Sequence, residues 1–494
     1  MKVSALYCPS YQFFFGIKSF CGSNYSEISK KQGLISSQIE LSNCWNFNSR
    51  KPKSKFHPCV TVRAASSSSP SLGGSASDYP EVLIGDKTKK KRSSIAGIDQ
   101  DELLDPRQLA DTDSCFCEFK GVHIHYKVCE AEPSMLEEQI TSQLDNVNNK
   151  IGFPMIFLHG FGASTFSWHR VMKPFSQLTG SKVLAFDRPA FGLTSRVSNS
   201  VRPHANDDTR PINPYSMAFS VLATLYFIDF LKSEKAVLVG HSAGSLTAVE
   251  AYFEAPERVA ALILVAPAIF APVSAPKVGQ ESQLDKDNQV EDSNTASDRP
   301  NIFVRFGQAL SKLYSYIASA IVKMWNGMMN VISSLYKKAL VAILRSAVAI
   351  TLVRMIIDKF GIAAVRNAWH DGTQVTDHIL QGYTKPLRTK DWDRALVEYT
   401  VAMLTDPQAK IKLPLEKRLQ NIACPVLIIT GDRDRLVPSW NSKRLSQAIP
   451  GSQLEVIKNC GHLPQEEKPD EFVSIVANFL QRIFANSEEL CLQT

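Results

Sequence analysis

Short apolar runs alternate with segments of helical spacing over residues 114–268, and again from residue 406 onward. Cys115–Phe119 and Val122–Val128 predict two strands joined by a Lys120-Gly121 turn. Pro154–Leu158, Lys182–Phe186, Ala236–Val239 and Val259–Val265 are continuous apolar runs of strand length, the pattern of buried strands. Between them lie helical patterns: one places Trp168, Val171, Met172 and Phe175 on a single side, and others cover Ser216–Leu231 and Leu246–Ala255. The alternation resumes with a strand at Pro425–Thr430, a helix from Ser439, a strand at Gln453–Ile457 and a helix at Pro469–Phe484. Such alternation predicts an α/β fold, a mostly parallel central sheet flanked by helices.

Two stretches interrupt this rhythm. Residues 274–300 are charged and low in complexity, with too little apolar surface to order themselves. Residues 301–405 carry helical signals and no strand pattern, which predicts a large all-helical cap inserted between the halves of the sheet. The expected organisation is therefore 1–65 as a targeting segment, 66–112 as a disordered linker, and 113–268 as the first part of the core. Residues 269–405 form the disordered tract plus cap, and 406–494 the second part of the core.

Composition changes this picture mainly at the N-terminus. Residues 1–65 hold nine Lys or Arg but only two acids, Glu27 and Glu40, are rich in serine, and end in Val62-Arg63-Ala64-Ala65. That is the composition of an organelle transit peptide, with no apolar core of secretory-signal length; its end resembles plant plastid cleavage sites. The run Lys87–Arg92 reads as a solvated linker. A net charge of +7 is modest and unevenly placed, which gives no nucleic-acid signature. Of the ten cysteines, four fall in the targeting segment, and the other six show neither metal-ligand spacing nor disulfide-scaffold density. His123 and His125 share a strand face with no third ligand in view, so they read as packing histidines. No metal and no cofactor is expected.

The chemistry is concentrated at strand ends. Ala236–Val239 runs into Gly240-His241-Ser242-Ala243-Gly244, a G-x-S-x-G pentapeptide followed by a helix. Strand, sharp turn and helix is the context in which this pattern makes a nucleophile elbow, whereas alone it would also fit a glycine-rich turn. A serine hydroxyl is a poor nucleophile until a histidine takes its proton, and that histidine needs a carboxylate to hold its tautomer. Both partners follow in the order an elbow requires: Gly431-Asp432-Arg433-Asp434-Arg435-Leu436-Val437-Pro438 after one strand, and Gly461-His462 after the next. Each lies just past a strand's carboxyl end, where open parallel sheets place their ligands.

On these residues the chain resembles the α/β-hydrolase family over roughly 114–485, the cap apart. The family's acid motif falls on Gly431, Asp434, Val437 and Pro438, which implies Asp434 as the acid with Asp432 as second choice. Its terminal Gly-His motif implies His462 as the base and Ser242 as the nucleophile. Its His-Gly-Phe-Gly loop falls on His159, Gly160, Phe161 and Gly162. The backbone N–H groups of Phe161 and Ala243 are thereby implied as the oxyanion hole, each such donor commonly worth about 3–4 kcal/mol. A serine in place of aspartate excludes the epoxide-hydrolase and haloalkane-dehalogenase relatives and points to acyl transfer from an ester, thioester or activated carbonyl.

The cap adds a hint about substrate. From Phe303 to Ile357 there are seven Lys or Arg and no acid; Arg305, Lys312 and Lys323 fall within about 20° of one another at helical spacing. A basic amphipathic helix fits an anionic membrane surface through residues 301–357; a cap helix with solvated lysines fits equally. Ala339–Ile357, the most apolar stretch, is interrupted by Arg345 and Arg354, which favours an interfacial or buried helix over a span. Tyr383–Leu387 and Trp392–Leu404 resemble lid helices that wall a pocket. With the plastid address, the resemblance extends to plant plastid hydrolases that release prenyl alcohols such as phytol from chlorophyll-type esters. Two other readings stay open: an acyl-lipid lipase or acyltransferase using the same residues, and a non-hydrolytic small-molecule receptor on the same fold.

Overall fold

The computed structural model describes residues 94–131, 151–197, 212–271, 302–405 and 413–491. The expected targeting segment (1–65), most of the expected linker, and the charged tract 274–300 lie outside the described residues.

The described residues form ten strands: β1 (Ser94–Ile95), β2 (Ile98–Asp99), β3 (Cys115–Phe119), β4 (Val122–Cys129), β5 (Met155–Leu158), β6 (Val183–Phe186), β7 (Ala236–His241), β8 (Val259–Val265), β9 (Val426–Gly431) and β10 (Gln453–Ile457). Eight of them form one sheet in the order β10-β9-β8-β7-β5-β6-β4-β3. The six from β10 to β6 are mutually parallel, and β4 and β3 add on antiparallel. The hairpin turn between β3 and β4 needs positive φ twice, which Lys120 (+49°) and Gly121 (+77°) supply.

The helices of the core are α1 (Met172–Thr179), α2 (Met217–Phe230) and α3 (Ala243–Glu254), with α8 (Leu415–Arg418), α9 (Ser439–Ala448), α10 (Pro464–Glu467) and α11 (Pro469–Cys491) after the insertion. Strand alternation divides the core in two. Ile156 and Leu158 face the cluster built with Phe219 and Phe227 of α2, whereas Met155 and Phe157 face the cluster with Phe175 of α1 and Phe472 of α11. Side chains on both sheet faces are removed from water, which is why these strands are apolar throughout rather than alternating.

The insertion is helical where described: α4 (Ile302–Leu344), α5 (Ala347–Ala368), α6 (Asp377–Thr384) and α7 (Trp392–Thr405). Ala339–Ile357 is not one rod. The chain turns at Arg345-Ser346, where the Ser346 hydroxyl caps α5 by accepting from Ala349 N at 3.2 Å.

One expected boundary is corrected. The linker does not run to residue 112, because residues 94–112 pack on the cap. Ile95 and Ala96 bury against Trp392, Ala96 N donates to Asp358 Oδ1 at 2.8 Å, and Leu104 bridges to Thr389. This stretch has only isolated apolar residues or pairs such as Leu103-Leu104 between polar ones, and these partners lie 262 or more residues away in sequence, which leaves no local period to read.

Candidate active site

Ser242 sits between β7 and α3 with φ +51° and ψ −116°, a strained conformation for a residue with a side chain. The strain is held by neighbours. Ser242 N donates to Val265 O at 2.8 Å, and Ala268 N donates to Ser242 O at 3.2 Å. Gly244 admits no side chain, since a Cβ there would stand 2.1 Å from the Leu158 carbonyl oxygen; at Gly240 it would meet Gly244 O at 2.6 Å. The two glycines of the pentapeptide are thus set by close approach of backbone, in the way an elbow demands.

His462 lies on the loop between β10 and α10. Its Nδ1 donates to Asp434 Oδ2 at 2.8 Å, both side chains being buried. Asp434 Oδ1 accepts from the backbone N–H groups of Leu436 and Val437, each at 2.8 Å. Of the two aspartates, Asp434 is the one whose side chain meets the His462 ring. Asp432 instead accepts from Cys460 N at 3.4 Å and faces Arg433. With Nδ1 occupied as donor, the ring's Nε2 is the nitrogen left to take a proton.

His241 ties the elbow to this loop. Its Nε2 lies 2.9 Å from the His462 carbonyl, an acceptor only, so Nε2 carries the hydrogen, and the two rings stand 4.9 Å apart. Burial, then the neighbouring His462 ring, holds His241 well below the ordinary imidazole range, so it stays neutral.

The His159–Gly162 loop leaves the end of β5 and crosses Ser242. A Cβ on Gly160 would come within 2.9 Å of His241 Nδ1 and 3.2 Å of Ser242 Cβ, so the loop backbone runs directly against the elbow. His159 donates from Nδ1 to Gly160 O at 2.7 Å and accepts at Nε2 from Arg188 N at 3.0 Å, the tautomer of a neutral ring. Burial and the nearby Arg188 cation push it down to about 4. Gly162 lies in the same loop at φ +71°. Ala243 is the first residue of α3, where backbone N–H groups have no acceptor within the helix. The structure therefore brings His241, Ser242, Ala243, His159, Gly160, Phe161, Asp434 and His462 to one edge of the sheet.

Several residues that build this edge carry no motif. Arg188 is buried and donates to His159 O at 3.0 Å, fixing the start of the His159–Gly162 loop. Asp187 accepts from Thr165 N at 2.6 Å and Leu193 N at 2.7 Å, and pairs with His125 Nδ1 at 2.7 Å. Burial alone would raise the Asp187 carboxyl, but the His125 imidazole and these donors outweigh it and hold it at about 2. His125 is thus a packing histidine held by Asp187 and Ser114.

Glu467 accepts from Gly461 N at 2.9 Å, Leu463 N at 3.3 Å and His370 N at 2.8 Å, clasping the loop that presents His462. Beside it Glu466 is fully buried and accepts from the Tyr383 hydroxyl at 2.5 Å. Burial pushes its carboxyl up to about 8. Sequence offered only one signal for these two, a pair of acids in the turn after Gly-His.

The cap closes over the site with aromatic side chains. Tyr399 of α7 packs on Phe191 (4.9 Å between ring centres) and Phe161 (6.1 Å), and Phe161 meets Phe191 edge-on at 5.3 Å. Trp392, expected among the walls, faces Ile95 and Ala96 instead.

Comparison with known proteins agrees with this architecture. The family model for the alpha/beta hydrolase fold matches residues 154–469. Among curated relatives, the uncharacterized hydrolase YugF of Bacillus subtilis is 22% identical over 329 residues, 66% of this chain and 89% of that protein. The 2-hydroxy-6-oxo-6-phenylhexa-2,4-dienoate hydrolase of Comamonas testosteroni is 24% identical over 339 residues, 67% of this chain and 88% of that protein. Among solved structures, the hydrolase of the same name from Rhodococcus sp. strain RHA1 aligns with a TM-score of 0.42 at 16% identity, covering 73% of this chain and 95% of that one. With the family model matching well over half its length, the chain belongs to the α/β-hydrolase family.

Proposed function

We propose that this hydrolase cleaves a lipophilic carboxylic ester through a covalent acyl-enzyme formed on Ser242. The observation that carries the reading is the buried 2.8 Å bond from His462 Nδ1 to Asp434, with Ser242 held at positive φ on the elbow. In this mechanism His462 Nε2 takes the Ser242 proton as Oγ attacks the ester carbonyl. Asp434 holds the tautomer and stabilises the imidazolium that forms. The N–H groups of Phe161 and Ala243 meet the oxyanion. His462 then gives its proton to the departing alkoxide, and water repeats the sequence to free the acid. Carbon and oxygen balance at each half-reaction: the alcohol leaves first, the carboxylic acid second.

Two features support a greasy substrate. The aromatic wall of Phe161, Phe191 and Tyr399 borders the loop that carries the oxyanion donors. The acid-free stretch Phe303–Ile357 is suited to an anionic membrane surface. A plastid location rests on the composition of residues 1–65, and a chlorophyll-type prenyl ester releasing phytol on the resemblance noted above.

The test uses the full chain, wild type beside Ser242→Ala, incubated with a plastid lipid and pigment extract; free alcohols and fatty acids are quantified together by mass spectrometry. A fluorophosphonate probe supplies an independent readout, with labelling expected on the Ser242 peptide and absent in the variant. Phytol-type alcohols formed only by wild type support the prenyl-ester form. Fatty acids formed instead favour a lipase, and their transfer to an added alcohol an acyltransferase. Equal products from both proteins, with no labelling, would sink the serine-hydrolase reading and leave the receptor.

A further inference from the structure

Helix α4 presents two unlike sides. At 100° per residue, Lys323, Lys337, Lys338 and Arg345 fall within a sector of about 100°. Trp325, Met328, Ile332, Leu335, Tyr336 and Ile343 cluster on the opposite side, within about 70° of its middle. These apolar side chains stand in solvent: Leu335 is 61% exposed, Tyr336 67% and Ile343 64%. None of the described side chains of the stretch Val322–Leu344, long and apolar enough to cross a bilayer by length and composition, is buried in the protein.

Just past the C-terminal end of α4 the basic side meets the body of the protein. Arg345 forms a two-pronged pair with Glu398 of α7, Nε and Nη2 each 2.7 Å from a carboxylate oxygen, and Arg354 of α5 pairs with Asp393 at 2.7 Å. Between α4 and the end of α7 lies a groove of about 650 Å³ whose lining includes Asn330, Ser333, Ser334, Lys337, Lys338 and Thr405. The acids of α7 that approach it are already neutralised by Arg345 and Arg354. Among the described residues Lys337 and Lys338 have no acidic partner. Two uncompensated ammonium groups beside hydroxyls and an amide match the hydrogen-bonding needs of a phosphodiester.

We propose that this groove seats the phosphate of an anionic phospholipid while the opposite side of α4 lies among the acyl chains, so that the helix rests in the plane of the bilayer. The inference deepens the membrane association proposed above and rests on it. A side carrying Lys323, Lys337 and Lys338 is costly in a spanning helix, because these charges would have to lie in or cross the hydrocarbon. In a helix lying flat the same side stays at headgroup level, with the apolar side immersed. The groove adds something that charge alone does not: a fixed seat for one headgroup, next to the cap helix whose Tyr399 reaches the candidate active site.

Flotation of the full chain with vesicles tests this. The vesicles are phosphatidylcholine alone, with phosphatidylglycerol, or with oleate at matched surface charge. Wild type is compared with Lys337→Gln/Lys338→Gln, and with Lys323→Gln/Lys359→Gln as a control of equal charge outside the groove. Wild type is expected to float with phosphatidylglycerol in preference to oleate. The groove variant should lose roughly ten- to thirtyfold in partitioning, and the control several-fold less. Hydrolysis of a soluble short-chain ester should be the same for all three proteins. Equal losses in the two double variants, or no preference for phosphatidylglycerol over oleate, would overturn the groove while leaving membrane association standing. Flotation with none of the vesicles would overturn both. Tight binding of glycerol 3-phosphate without vesicles would make this a site for a soluble phosphate ester and overturn the lipid assignment.

Discussion

At the scale of single residues, the carboxyls of Asp434 and Glu466 sit in different surroundings. Asp434 accepts two backbone N–H groups on one oxygen and the His462 ring on the other, so both oxygens are taken up in holding the ring and its loop. In Asp434→Asn the amide can still hydrogen-bond the ring, but it favours the wrong tautomer. Ester turnover, kcat, is expected to fall by about 10⁴ with little change in KM. Glu466 has the opposite setting: burial and a single phenol donor leave its carboxyl near 8, against 4.5 for an open glutamate. Between those two values the folded protein holds a proton that the unfolded chain has released, so stability falls as pH rises, and levels off above about 8. Glu466→Gln keeps an acceptor for Tyr383 without a titrating proton. It is therefore expected to unfold at higher temperature than wild type at pH 8 while the two converge near pH 5. A melting difference that does not change with pH would remove the buried acid as the cause. The motif residues were readable because chemistry restricts residue type and order at strand ends. Glu466 was not, because its character comes from Tyr383, 83 positions away, and a sequence does not display burial of one acid among several.

At the scale of elements, strands and core helices were legible nearly to the residue. Their periods are imposed by a sheet buried on both faces, and Val259–Val265 and Gln453–Ile457 are found where predicted. The cap was legible as helical, but its attachment was not. Two of its contacts bear directly on the candidate site. The Ala368 carbonyl at the end of α5 accepts from His462 N at 2.7 Å, and Glu467 of α10 joins His370 N of the cap to Gly461 N at 2.8 and 2.9 Å. The His462 loop is therefore clamped from the core and from the cap at once. Glu467→Ala removes three charge-assisted bonds from backbone donors, and a shift of about an ångström in a proton-transferring group costs about 10² in rate. The expected result is a fall of that size in kcat with KM and fluorophosphonate affinity largely kept. Hydrogen exchange should show faster opening at residues 461–463 while β7 and β8 remain protected. Loss of protection throughout the sheet would make Glu467 a residue of global stability instead.

At the scale of the whole molecule, one end of the sheet carries Ser242, His462 and Asp434, and the cap that covers it also carries α4, whose described apolar side chains stand in solvent. A soluble hydrolase gains nothing from such a helix and is exposed to aggregation by it, because large apolar patches left in water seek other surfaces. Joined to a membrane, the same helix brings the cap, and with it the aromatic wall of Tyr399, Phe191 and Phe161, to where a lipophilic ester is dissolved. The physical consequence is a difference between two substrates of one enzyme. An ester carried in anionic vesicles requires the protein to reach the surface first, a step driven in part by the uncompensated lysines of α4 and so weakened by salt. The Debye length falls from about 10 Å at 0.1 M to about 3 Å at 1 M, which removes most of the attraction between those lysines and the surface. A short-chain ester in solution bypasses that step and meets only the buried site, where screening is slight. Hydrolysis of the vesicle-borne ester is therefore expected to fall at least tenfold over this range of salt, with hydrolysis of the soluble ester unchanged within about twofold. Parallel loss on both substrates would place the salt effect in the site itself and separate α4 from the delivery of substrate.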